Sequence, residues 1–172
     1  DVTVLALDLP VKHINGFLTF TEKGMTGEDF EGIALNHPIH ARLQNDNHHT
    51  EISVKGESTV DDLFQQLNIS SLARFGNQAW IEGHLDYQIT LTIPPGLSSS
   101  RLVFKSMLSG ATLHHLPLEL TKSKSQKTPL NLMFTLGHEE ILPLTLDYNS
   151  QLKAVLLVDL KNKHLERGAI LV

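Results

Sequence analysis

From Ala79 to Ile93 the chain reads AWIEGHLDYQITLTI, fifteen residues in which apolar and polar side chains alternate almost without a break. Successive side chains of a strand point to opposite faces, so Ile81, Leu85, Tyr87, Ile89, Leu91 and Ile93 share one face, and Glu82, His84, Asp86, Gln88, Thr90 and Thr92 the other. At roughly 3.3 Å per residue this strand would be about 50 Å long, whereas strands average about five or six residues. A sheet crossed by such a strand is elongated or strongly curved, not a compact sandwich.

The same period of two governs most of the chain. It predicts strands over residues 2–8, from Ile14 to Thr21, through Phe30 to Leu35 and from Ile39, with short turns at Glu22 to Gly24 and Asn36 to Pro38 that make a meander. "NDNHH" is turn chemistry, and Ile52 and Val54 then share a strand face. Further strands are predicted over 101–108, about 112–119, 130–136, 142–148, 152–160 and 169–172. "TKSKSQKTP" reads as a polar, mobile hairpin tip. In "STVDDLFQQLN" the period changes. Ser58 or Thr59 can cap, Asp61 and Asp62 suit the positive end of a helix, and Val60, Leu63, Phe64 and Leu67 share a face, predicting a helix from Val60 to Leu67 inside a helical insert over 58–76 that Gly76 stops. The fold class is mainly β: an elongated, strongly curved antiparallel sheet, open or barrel-like, with one short helix.

At 172 residues, 41% hydrophobic and 19% charged, the chain has the makings of one folded domain. A net charge of −5 with scattered Lys and Arg leaves no basic stripe for nucleic acid. Without cysteine there is neither disulfide nor thiolate metal site. No run of eighteen apolar residues is present. The apolar stretches "DVTVLALDLP" and "GAILV" at the two ends read as a piece of a longer polypeptide whose sheet continues on both sides; proteolytic maturation would read the same way.

Ten histidines invite a metal reading. On a strand, however, His114 and His115 face opposite ways, as do His37 and His40, and His48 and His49 sit in a turn. His138 beside Glu139 and Glu140 has the residue types of an acid/base pair but lies at a predicted solvated hairpin tip. Nucleophile elbows, phosphate-cradling glycine loops and His-Glu-x-x-His motifs are missing, so neither enzymatic activity nor a metal or cofactor is expected.

What stands out is aliphatic. Leu130, Leu132, Phe134 and Leu136, then Leu142, Leu144 and Leu146, then Leu152, Leu156, Val158 and Leu160 form a broad wall. One reading is an ordinary core closed by the helix near Phe64, which makes the chain a structural or scaffolding domain. The other is a groove for hydrocarbon chains, because ligand cavities are mostly apolar with few polar groups. Its candidate lining is Leu85, Tyr87, Ile89, Leu91, Phe104, Leu108, Leu113, Leu132, Phe134, Leu144, Leu146 and Leu156, with Leu116 and Leu118 beside them and the histidines at the rim.

The stretch RLVFKSMLSGATLHHLPLELTKSKSQKTPL resembles a recurring block of the bacterial YhdP family, large AsmA-like envelope proteins. The matching positions are Ser106, Leu108, Gly110, Leu113, Leu116, Pro117, Leu120, Lys122, Pro129 and Leu130, with Met107 standing where the family usually has an acidic residue. "INGFLTFTEKGMTGEDFEGIALNHPIHARL" and Trp80 with "GHLDY" are similar to the strands around that block. The resemblance implies an internal segment of an inner-membrane-anchored periplasmic protein, in which a taco-shaped sheet shields phospholipid or other acyl chains between inner and outer membranes. It implies as partners the flanking segments of the same polypeptide, with membranes met only through the full-length protein.

Overall fold

The computed structural model describes residues 2–4, 9–46, 48–66, 74–75, 78–96, 99–114, 121–137, 141–159 and 164–171. About three quarters of them lie in antiparallel strands. These are β1 (Val2–Val4), β2 (Leu9–Thr21), β3 (Gly24–Ala34), β4 (His37–Asn45) and β5 (Thr50–Thr59), followed by helix α1 (Val60–Gln66) and a small hairpin of β6 (Arg74–Phe75) and β7 (Gln78–Ala79). Then come β8 (Ile81–Ile93), β9 (Ser100–Ser106), β10 (Ala111–Leu113), β11 (Leu130–Leu136), β12 (Ile141–Tyr148), β13 (Leu152–Asp159) and β14 (His164–Leu171). The order across the main sheet is β1-β2-β3-β4-β5-β8-β9-β11-β12-β13-β14, with β10 joined to β8 beyond the end of β9. Among the described residues β1 and β14 do not pair with each other, so the sheet is open.

The long alternating stretch is one strand of 13 residues, and Ala79 belongs instead to the small hairpin. Along β8 the apolar side chains stay buried from Ile81 (6%) through Leu85 and Tyr87 (3%) to Ile89 (8%), and exposure then rises to 38% at Ile93. The low end is closed by α1, whose Val60 and Leu63 pack into the core cluster with Leu85, Leu108 and Leu113. Thr59 is the cap: its Oγ1 accepts the backbone N–H of Asp62 at 3.0 Å and donates to the Asp62 carboxylate at 2.7 Å. Ser58, the other predicted cap, is wholly buried. The helix does not run to Gly76, because Arg74 and Phe75 are extended and pair with Ala79 and Gln78; residues 67–73 lie outside the described ones.

The β3–β4 connection is tighter than the proline suggests. Leu35 (φ 51) and Asn36 (φ 62) form the turn, and Pro38 is already in β4. Leu35 holds this uncommon left-handed backbone with its side chain buried in the core.

A compact monomer of 19.1 kDa exposes about 8,400 Å² by surface-to-mass scaling. This chain exposes 11298 Å², roughly a third more. Yet Leu102, on one face of the sheet, keeps only 2% of its surface. A flat single sheet leaves such side chains bare, so burial on this scale requires the sheet to wrap toward its apolar side.

Candidate functional site

In an antiparallel sheet, residues directly opposite one another point to the same face. The register therefore assembles strand patterns into rows. One row runs Leu43, Ile52, Leu91, Leu102, Phe134, Leu144 and Leu156 across β4, β5, β8, β9, β11, β12 and β13. The next runs Ala41, Val54, Ile89, Phe104, Leu132, Leu146, Ala154 and Ile170. A third carries Ile39, Gly56 and Tyr87 on one side and Leu130, Tyr148 and Leu152 on the other. None of these residues is charged. From β4 to β14 the surface spans seven strand spacings, roughly 34 Å.

The opposite face is built from the intervening residues. There His40, Lys55, Gln88, Lys105, Asn131, Asp147 and Lys153 are successive partners. Along this row the opposite face is polar across seven strands, while the row beside it, Ser53, Thr90, Val103, Met133, Thr145 and Val155, mixes polar and apolar side chains.

The groove candidates fall into two groups. Leu85, Tyr87, Ile89, Leu108 and Leu113 are buried toward the α1 end. Leu91, Phe104, Leu132, Phe134, Leu144, Leu146 and Leu156 are half-buried, forming an apolar surface still open to contact. The rings of Tyr87 and Phe104 stack in offset fashion, with centroids 6.4 Å apart. Leu116, Leu118 and His115 lie outside the described residues, as do His138, Glu139 and Glu140.

The Ser-x-Leu-x-Gly stretch is not a continuous strand. β9 ends at Ser106, whose Oγ accepts the Leu108 N–H at 2.8 Å. The Asp86 carboxylate accepts the N–H groups of Met107 and Ser109 at 3.3 and 3.2 Å. Leu108, at φ 49, drops into the core with 1% exposure. Gly110, at φ 85, brings its carbonyl to the His84 N–H at 3.3 Å, against the equally left-handed Gly83. A Cβ on Gly83 would lie 2.4 Å from that carbonyl oxygen.

Lys122 corrects the reading of its segment as a loose polar tip. It keeps 3% of its surface, and its Nζ donates to the carbonyls of Ala111 at 2.7 Å and Ser123 at 3.1 Å. Burial pulls its pKa down, and nearby Asp86 opposes this. The burial was not legible because the partners are backbone carbonyls that only folding delivers.

Among the described residues the histidines do not converge. Asp46 accepts the backbone N–H groups of both His48 and His49, which holds its carboxyl below the ordinary range. His37 approaches Asp62 at 3.4 Å, and His114 approaches Glu82 at 3.1 Å. Among the described residues no three His, Cys, Asp or Glu side chains are placed to hold a metal ion. Among them no helix is long and apolar enough to cross a membrane.

Fold and surface together define an open, two-sided antiparallel β-sheet protein with a continuous apolar face. A family model for the YhdP protein matches residues 1–172, the whole chain, and the chain belongs to that family. No curated protein and no solved structure matches it.

Proposed function

We propose that the apolar face of this sheet shields lipid acyl chains from water, as one stretch of a longer conduit through which phospholipid passes between the inner and outer membranes of a bacterial envelope, with the segment itself in the periplasm. The observation that carries this reading is the set of in-register aliphatic rows from β4 to β13, free of charged side chains and still half-exposed over β11 to β13. Membership of the YhdP family supports it.

The physical work is passive. Leaving a sixteen-carbon tail in water costs about 12 kcal/mol at roughly 0.8 kcal/mol per methylene. A surface with no fixed hydrogen-bonding partner lowers that cost everywhere along its length, so the tail slides between equivalent positions and no residue reacts. The polar headgroup remains in solvent at the open rim near Ile93, away from the α1 end.

The closed cluster around Val60, Leu108 and Leu113 is what a scaffolding domain with a sealed core would have. The test separates the two readings. The chain is purified without detergent, extracted with organic solvent and analysed for lipid by mass spectrometry, and a fluorescent fatty acid is titrated against it. Co-purifying phospholipid and saturable probe binding are expected. A lipid-free chain that leaves the probe in water would establish the sealed-core reading instead.

A further inference from the structure

Opposite the grease, on the polar face, a hollow of about 770 Å³ crosses β4, β5, β8, β9 and β11. Register places His40, Lys55, Gln88 and Lys105 side by side across it, and one side-chain repeat further along the strands Glu57 stands directly opposite Asp86. The charges are therefore sorted. Two lysines flank Gln88, and two carboxylates face each other about 7 Å away along the strands. Like charges directly opposite in a sheet repel, as Glu57 and Asp86 do, while the two lysines stand two strand spacings apart, about 10 Å. Among the described residues Lys55, Lys105 and Glu57 have no ion-pair or hydrogen-bond partner, whereas Asp86 accepts the Met107 and Ser109 N–H groups and lies near Lys122, so Glu57 is the carboxylate left without a counter-charge. Lys55 and Glu57, two residues apart on one strand, are separated by more than an ion-pair distance and do not neutralise one another.

A molecule serves both the lysine pair and Glu57 at once only if it carries an anion and a cation at a similar spacing. We infer that the hollow binds a phosphate ester bearing an amine, with the phosphate between Lys55 and Lys105, assisted by Gln88 and His40, and the ammonium against Glu57 and Asp86. A simple dianion fits less well because the carboxylates repel it. The same chemistry occurs in a phosphoethanolamine lipid headgroup and in a water-soluble phosphoamine. The site is on the opposite face from the apolar rows, so its fate is independent of the acyl-shielding reading.

The test is an amide chemical-shift titration of the full chain at low ionic strength, where exposed charges are least screened, with glycerophosphoethanolamine, glycerophosphate and inorganic phosphate as probes. Glycerophosphoethanolamine is expected to move the Lys55, Glu57, Gln88 and Lys105 amides and to bind tightest. Lys55→Ala and Lys105→Ala each weaken it about tenfold, the size of one charge-assisted hydrogen bond. Glu57→Gln weakens glycerophosphoethanolamine and strengthens glycerophosphate. These side chains are exposed, so the variants keep the fold, which circular dichroism verifies. Asp86 is left intact because it holds the 106–110 turn. Flotation with phosphatidylethanolamine and phosphatidylglycerol vesicles assigns the source: retention on the former, lost in Lys55→Ala, points to the headgroup, and binding of soluble probes alone points to the free compound. Absence of shifts with every probe, or a Glu57→Gln effect of the same sign on both glycerol esters, overturns the inference.

Discussion

Tyr87 carries the one buried side-chain polar atom among the described residues that lacks a hydrogen-bond partner, its phenol oxygen. The ring lies over Gly56, where a Cβ would come within 2.9 Å of that oxygen, and stacks on Phe104. A buried hydroxyl with no partner costs about 1–3 kcal/mol, so Tyr87→Phe is expected to raise stability by about 1 kcal/mol in urea unfolding, and a loss would show that the oxygen is satisfied in solution. Desolvation also pushes the phenol pKa from 10.0 up to about 12. The folded state thus holds the phenolic proton more tightly than the unfolded one, and this contribution is complete below pH 10 and declines as pH rises toward 12. Burial shifts Tyr148 in the same direction. Unfolding measured at pH 8 and pH 11 should therefore show a smaller alkaline loss in Tyr87→Phe than in the parent, with a remainder from Tyr148. That Tyr87 belongs with Ile89 and Leu91 was legible from alternation; that its hydroxyl is stranded was not, because this depends on Gly56 and Ile39 of neighbouring strands.

At the scale of the element, the 106–110 turn shows why alternation overruns. RLVFKSML reads as strand to its last residue, and locally nothing forbids it. The strand stops because Asp86, on β8, captures the N–H groups of Met107 and Ser109 while Ser106 captures that of Leu108. Ser106→Ala would leave the Leu108 N–H buried without its acceptor, at about 1–3 kcal/mol in equilibrium unfolding. Leu108→Ala removes a fully buried side chain and should cost about 2–5 kcal/mol. A loss within experimental error in both variants would mean that the turn does not anchor the core. The helix was better signalled, since Thr59 and Asp62 form their cap within four consecutive residues, whereas the 106–110 turn and Lys122 rest on Asp86 and Ala111, farther away in the chain.

At the scale of the whole molecule, the apolar rows make a surface whose parts are interchangeable and whose continuity matters. Leu144→Ala, at a half-buried position, should leave binding of a fluorescent fatty acid within about twofold, because one shortened side chain removes little contact area. Leu144→Asp places an unpaired charge within a row and should abolish that binding while changing stability far less than Leu108→Ala, since its carboxylate still reaches solvent. Equal binding by Leu144→Ala and Leu144→Asp would remove the apolar face as the lipid path. The side chains of this face were readable from sequence because period-two alternation fixes facing within a strand whatever its neighbours are; Leu132 and Phe134, or Leu144 and Leu146, cannot part company. Beyond the meander that the short turns signalled, which strands stand side by side, such as β5 beside β8, and in what register, was not readable, because pairing joins residues far apart in the chain through backbone groups that are alike at every position. Amino-acid order by itself therefore determined two-faced strands and a capped helix. Tertiary structure alone decided that their apolar sides join into one open surface, that Lys122 is buried, and that Lys55, Gln88 and Lys105 meet across a hollow on the other side.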